Sequence, residues 1–400
     1  MTTRTSRTVV AAALVLGIAA GSASPALASA PSPASAAGHS APSVPPAYGA
    51  PDAEALRSAL LGLPSGDATA ALVRVGGTSG VWRGSAGVHD LVSGRPADPA
   101  GRFRAGSVTK VFTAAVVLQL ASEGRLGLDR PVRRYLPDLI PAAYGTVTVR
   151  QLLNHTSGIP NIGPGYTTPE EVYAHRFDRY DPAEVVRGAT ARERTFAPGT
   201  QQEYGNIGYT VAGLLIERVT HDSYASQVTR RILEPLGLKD TYLPGDDPTI
   251  RGPHNRGYQV YGDGELRDVT VWGTSDTWAA GALISTTADL ERFTRALFAG
   301  RVVRGPLLEA MFTLPGEEVR EYGTGAPAAH SAGLSMMRLG GHEVWGKTGG
   351  RWGYNTAIAA TRDLSRTLVY SVNATDAKGQ DMNTTAMNVV VAALGAPSRG

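Results

Sequence analysis

Phe103-Arg-Ala-Gly-Ser-Val-Thr-Lys-Val-Phe-Thr-Ala-Ala-Val-Val-Leu-Gln-Leu120 is the stretch that decides how the rest of the chain is read. From Val111 to Leu120 it is apolar almost all round, interrupted only by Thr113 and Gln119. A helix of that kind belongs in the middle of a domain rather than on its surface. Ser107 and Lys110 fall in its first turn, three residues apart, so that hydroxyl and amine share a face within hydrogen-bond reach. At a helix start, unpaired N–H groups and the positive end of the macrodipole favour the anion formed when a serine oxygen attacks a carbonyl. The ordinary role of such a serine is an N-cap, and of such a lysine a solvated charge. Composition argues for more: of 38 Lys plus Arg, only Lys110, Lys239, Lys347 and Lys378 are lysines. Lysine, unlike arginine, gives up its proton when buried and then serves as a base. No other Ser-x-x-Lys occurs in the sequence.

Residues 1–28 read as a secretory signal peptide, with Arg4 and Arg7 in the charged start, an apolar core from 9 to 20, and Ala26-Leu27-Ala28 as a small-residue cleavage site. The apolar run is shorter than the roughly 20 residues a bilayer span requires, so a membrane anchor is not expected. Residues 29–50, rich in Pro, Ala and Ser, read as a disordered tether. A secreted, extracellular chain with its folded domain at 51–395 is therefore expected, long enough to bury a large core. Cysteine is absent, so an exported protein of this size relies on that core rather than on disulfides. The formal charge of +3 falls to +1 once the two leader arginines are gone, and no basic cluster points to nucleic acid. The eight histidines are scattered and no His-Glu-x-x-His occurs. Neither a metal nor another cofactor is expected.

Residues 70–75 and 81–88 flank the turn Gly76-Gly-Thr-Ser-Gly80 and read as a strand hairpin. Gly124 marks the stop of the Ser107 helix. Residues 148–238 read as mostly helical: Thr148 caps one helix, Asp181-Pro182-Ala183-Glu184 opens another, and 208–220 carries a helical apolar face. Residues 257–271 look irregular or strand-like, and 287–299 is a capped helix. Strands at 342–348, 354–361 and 367–373 precede a final helix at 382–394. Strands at both ends with helices between them give an α+β fold: one antiparallel sheet flanked by helices, with a sheet lobe at about 51–145 and 275–395 and an inserted helical lobe at about 146–274.

Two further short motifs accompany the serine. Tyr204-Gly-Asn206 follows Pro198-Gly199 and opens a helix, and Gly346-Lys-Thr-Gly-Gly350 lies at the end of a strand. With Ser-x-x-Lys, in that order, they resemble the penicillin-recognising serine hydrolases, and most of all the group holding the class C β-lactamases, the exported D-alanyl-D-alanine carboxypeptidases and related esterases. Phe103-Arg-Ala-Gly-Ser-Val-Thr-Lys110, Leu152-Leu-Asn-His-Thr-Ser-Gly158 and Leu283-Ile-Ser-Thr-Thr-Ala-Asp289 extend the resemblance. It implies a β-lactamase/transpeptidase-like fold and a catalytic set of Ser107, Lys110, Tyr204 and Lys347. Ser107 would form an acyl-enzyme, and Lys110 and Tyr204 would share the acid and base work, with Lys347 helping to depress the tyrosine's pKa, since a phenol near two ammonium groups ionises more readily. Asn206 would hold the substrate amide or Lys110, and Lys347 with Thr348 would meet a substrate carboxylate. The backbone N–H groups of Ser107 and Gly350 would form the oxyanion hole.

The resemblance has departures. The third motif begins with Lys347, as in the lactamases, where the carboxypeptidases carry histidine, and the middle residue of the second motif, usually Ser or Ala, is Gly205. Of the two arginines that could anchor a terminal carboxylate, Arg351 is favoured over Arg338, which reads as surface charge. His155 reads as structural, its ring bonding loop backbone. The expected function is a monomeric D-Ala-D-Ala carboxypeptidase acting on small peptides of the peptidoglycan-stem type; a β-lactamase, an esterase or a penicillin-binding module without turnover are the alternatives. Because Ser107 alone has a lysine one turn on, a fluorescent penicillin is expected to label the mature protein there. Peptide mapping checks it, and labelling that survives in Ser107→Ala would remove this serine from the chemistry.

Overall fold

The computed structural model describes residues 48–395 except 164 and 380, so the leader and nearly all of the tether lie outside the described residues. Two runs far apart in sequence meet in one sheet. Ala68–Gly76 (β1) and Trp82–Gly87 (β2) form the expected hairpin. Ser335–Leu339 (β3), His342–Arg351 (β4), Tyr354–Thr361 (β5) and Thr367–Ala374 (β6) follow from the C-terminal part. The order is β2-β1-β6-β5-β4-β3, with every neighbour antiparallel. β1 crosses to β6 with Leu72 opposite Ser371. β3 was not anticipated. Its five residues carry no clean alternation, and they are brought into register by the turn Gly340-Gly341, both residues at positive φ, which glycine adopts without strain.

Both faces of the sheet are covered, which is why β5 and β6 are buried along their whole length and read as continuous apolar runs. One face carries Ala53–Ser58 (α1) and the C-terminal helix Thr384–Leu394, packed over Val73, Val75, Leu368 and Tyr370. The other carries Thr287–Phe298, capped by Thr286, and behind it the helix Thr109–Ser122 (α2). In α2 every residue from Thr109 to Leu118 is buried. Its polar members are satisfied inside: the Thr113 hydroxyl lies 2.7 Å from both Ala279 O and the Tyr224 hydroxyl, and the Gln119 amide donates to Val302 O. Phe112 stacks on Phe293 with ring centroids 3.7 Å apart, joining α2 to the helix that lies on the sheet. Gly124, at φ +71°, ends the helical turn as expected.

The helical region inserted between the sheet's two halves includes Val149–Leu153 (α3), Pro182–Thr190 (α4) and Ile207–Thr220 (α5). Thr148 and Gln151 make a reciprocal capping box on α3, and Asp181 caps α4. Residues 257–271 contain a small hairpin, Tyr258–Val260 with Leu266–Asp268. Phe112→Ala is expected to destabilise the fold by about 3–5 kcal/mol, because it removes a fully buried ring at the junction of two helices and leaves a cavity. Urea unfolding checks this, and a loss under about 1 kcal/mol would place the ring outside the core.

Candidate active site

The nucleophile turn is clamped before any substrate arrives. Ser107 lies in the 3-10 turn Gly106–Val108 that leads into α2. Gly106 has φ +52°, and a Cβ on it would come within 2.7 Å of the Gly350 nitrogen. A Cβ on Gly349 would sit 2.1 Å from Ala105 O, which also accepts from the Thr356 hydroxyl at 2.9 Å. The end of β4 therefore presses onto the turn. This brings the backbone nitrogen of Gly350 alongside the residues carrying Ser107, as two N–H groups converging on one oxyanion require.

Lys110 is fully buried. Its Nζ lies 2.8 Å from Asn206 Oδ1, 3.0 Å from Ala280 O and 3.1 Å from Ser107 Oγ. Burial holds its pKa well below the ordinary lysine value, with Lys347 and Lys378 adding repulsion. A neutral amine has two N–H bonds and one lone pair. Asn206 Oδ1 and Ala280 O are acceptors only, so they take the two hydrogens, and the lone pair is left to accept from the Ser107 hydroxyl. That is the geometry of a base on its nucleophile.

Tyr204 closes the site from the helical side. Its ring has Lys347 Nζ 4.5 Å and Lys110 Nζ 5.0 Å from its centroid, and the rings of His155 and His330 at 4.6 and 5.0 Å. The phenol oxygen is buried and faces Ser107 without reaching ordinary hydrogen-bond geometry. Here the sequence expectation is corrected: burial raises the Tyr204 pKa above its ordinary value, offset only partly by Ser107. The two lysines do not make the phenol acidic because its own burial outweighs their charge, which burial also reduces, taking Lys347 down to about 7 and Lys110 well below its usual range. Tyr204 is thus a proton donor in the free protein. His155 accepts from Gly205 N at its Nδ1, 3.3 Å away, as a structural histidine should. His330, held neutral with a pKa of about 3 by burial and the same lysines, packs against both rings and was not identified from sequence because no motif surrounds it.

Arg351 is the second correction. It is 2 % exposed, and its Nη1 and Nη2 both donate to the Asp276 carboxylate, at 2.8 and 3.0 Å, with further bonds to Thr277 Oγ1 and Gly273 O. A guanidinium neutralised in this way is not a free anchor for a substrate carboxylate. Arg338 is an exposed partner of Glu343, as expected of surface charge. Lys347 Nζ donates to Thr348 O at 3.0 Å, and the exposed Lys378, also missed from sequence, donates to Gly350 O at 3.0 Å. Ser107, Lys110, Tyr204, Asn206, Lys347, Thr348 and Gly350 are brought together; Arg351 lies next to them but is turned to Asp276. Among the described residues no group of three or more His, Asp or Glu is placed to hold a metal ion, and no helix is long and apolar enough to cross a membrane.

Residues 65–392 match the family described as Beta-lactamase. The solved D-stereospecific amidohydrolase from Streptomyces sp. superposes with a TM-score of 0.73 at 33% identity, over 86% of this chain and 98% of that one. The D-amino acid amidase from Ochrobactrum anthropi SV3 gives a TM-score of 0.70 at 25% identity, over 85% and 96%. The esterase EstB of Burkholderia gladioli is 33% identical over 183 residues, 42% of this chain and 45% of that protein. Protein flp of Staphylococcus aureus is 30% identical over 216 residues, 52% of this chain and 41% of that protein, so the match spans less than half the length of these curated relatives.

The neutral Lys110 has a measurable cost. The folded protein protonates it less readily than the unfolded chain does, so between its depressed folded pKa and the ordinary 10.5 the lysine lowers stability, and less so as pH rises. Relative to the parent, Lys110→Met is therefore expected to gain stability as pH falls from about 10 to about 7. Urea unfolding of both proteins across that range checks this, and a difference that stays flat would mean the buried amine is charged.

Proposed function

The chain belongs to the Beta-lactamase family and is a serine hydrolase of that fold, and on this premise we propose that it is an exported enzyme that hydrolyses amides and esters of D-amino acids through an acyl-enzyme on Ser107. Ser107 Oγ attacks the substrate carbonyl as its proton passes to the lone pair of Lys110 Nζ. The carbonyl oxygen, now negative, accepts from the backbone N–H groups of Ser107 and Gly350. The protonated, unpartnered Tyr204 hydroxyl donates to the leaving nitrogen or oxygen, and the ammonium of Lys110 restores that proton, so the net transfer is from serine to leaving group. Water then enters, gives a proton to the same amine and attacks the acyl carbon; as the bond from that carbon to Ser107 Oγ breaks, the Lys110 ammonium returns the proton to Oγ and the acid is freed. Asn206 holds Lys110 in place throughout and presents its amide to the cleft.

The observation that carries the substrate reading is the Arg351–Asp276 pair. Its guanidinium charge is already matched, which supports a neutral leaving group over one bearing a carboxylate. The names of the Streptomyces amidohydrolase and the Ochrobactrum amidase point the same way. A second reading, a D-Ala-D-Ala carboxypeptidase on peptidoglycan-type stems, is favoured by Lys378 at Gly350 and by Lys347 with Thr348, which offer a terminal carboxylate other partners. The β-lactamase alternative shares the same acylation step and differs in how fast the acyl-enzyme meets water.

D-phenylalanine amide, a diacyl-Lys-D-Ala-D-Ala peptide and a cephalosporin, compared by kcat/KM, separate these readings. The amide is expected to exceed the peptide by about tenfold or more, since a charge-assisted hydrogen bond denied to the carboxylate is worth roughly 1.5–3 kcal/mol. Asp276→Asn, which releases Arg351, is expected to shift the ratio toward the peptide. A peptide preferred by the parent and unaffected by Asp276→Asn would install the carboxypeptidase instead, and fast cephalosporin turnover the lactamase.

A further inference from the structure

The helix α5 starts with an asparagine that does not cap it. Asn206 occupies the N-cap position, yet its side chain makes no capping bond, because Oδ1 is committed to Lys110 Nζ at 2.8 Å. An N-cap asparagine ordinarily accepts from the first N–H groups of its own helix. The N–H groups such a cap would serve are Gly208 N and Tyr209 N, of which Tyr209 N is bonded to Asn206 O at 3.0 Å; the two N–H groups before them are held from elsewhere. Asn161, forty-five residues earlier, accepts from Asn206 N at 3.1 Å and Ile207 N at 3.4 Å through Oδ1, and donates from Nδ2 to Tyr204 O at 3.4 Å. Its amide thus touches the backbone on both sides of Gly205 and ties together the two residues whose side chains face Ser107 and Lys110.

Gly205 is the condition for this. A Cβ there would lie 1.9 Å from Asn161 Oδ1 and 2.0 Å from Nδ2. The departure of the second motif from Ser or Ala at this position is therefore matched by a second residue standing in the vacated space. We propose that Asn161 is a positioning residue that pins the Tyr204-Gly205-Asn206 turn from a neighbouring loop, so that the Asn206 side chain is presented to Lys110, and that glycine at 205 exists to admit it. Without Asn161 the turn loses three hydrogen bonds, and the Asn206 side chain is no longer held toward Lys110 and can turn back to cap its own helix.

The proposal rests on the serine-hydrolase reading only for its kinetic arm, and the test includes a readout that needs no turnover. With four lysines in the sequence, the 13Cε-lysine NMR spectrum of the intact protein resolves Lys110, which is surrounded by Lys347, Lys378, His155, His330, Tyr204 and Tyr209. In Asn161→Ala the loss of the Asn206 acceptor is expected to move the Lys110 titration to lower pH, because that bond favours the charged amine more than the neutral one. Gly205→Ala, which expels the Asn161 amide, is expected to do the same, and the double variant no more than either alone. Labelling of Ser107 by a fluorophosphonate should slow about 100-fold in each, as a site loosened by about an ångström does. An unmoved Lys110 titration in both single variants, or additive effects in the double, overturns the proposal. A moved titration in a protein whose parent takes no label upholds it and counts against the hydrolase reading instead.

Discussion

Everything at this site follows from hiding one amine. A lysine at position 110 of an otherwise apolar helix is surrounded by groups that cannot balance a positive charge: a carbonyl, an amide oxygen and a serine hydroxyl, with two further lysines adding repulsion. Removing an ammonium from water without a counter-ion costs several kcal/mol, so the proton leaves instead. The fold accepts this because the helix is buried on every side, and it is buried on every side because it stands between a sheet and a helical region that both need an apolar face to pack on. The reactivity proposed for Ser107 is in this sense a by-product of core construction, confined to the partly exposed turn that leads into the helix.

The same burial fixes the division of labour among neighbours. Lys347 is taken down to about 7, His330 to about 3, and His155 below its usual range, so the positive potential that would ionise a phenol is reduced and the phenol's own burial outweighs it. In the proposed mechanism Tyr204 therefore keeps its proton and the amine takes the one from serine. Glycine does the mechanical work. At 106, 349 and 205 a Cβ would strike backbone or a committed amide, and these close approaches hold the strand end, the nucleophile turn and the start of α5 at contact distance. A larger residue at any of them would push apart elements that compose the site.

Much of this was legible in the sequence where the relevant physics is local. Ser-x-x-Lys is a statement about one helical turn, and the strands at Tyr354–Thr361 and Thr367–Ala374 are runs bounded by their own turns. Features set by partners remote in sequence were not legible. Arg351 looks like a free cation until Asp276, seventy-five residues away, is folded against it. Tyr204 looks acidic if its neighbours are counted as charges and not as desolvated bases. His330 and Lys378 belong to no motif and reach the site only because the sheet returns the C-terminal region of the chain to the nucleophile helix. The strand Ser335–Leu339 is weak by composition and is recruited by the glycine turn that follows it.

Gly205 shows how a departure from a family pattern can be read once structure is available. Taken alone, the loss of a side chain in the second motif suggests a weakened site. Asn161 reverses that reading, because its amide fills the volume and supplies hydrogen bonds that a small residue at 205 could not direct to both Asn206 N and Ile207 N. The position that departs from the family pattern is constrained in space, and the constraint is carried by a residue of a loop following α3. The unit to compare between relatives is therefore the pair of residues 161 and 205, since either one viewed singly misstates what the turn at Tyr204-Gly205-Asn206 can hold.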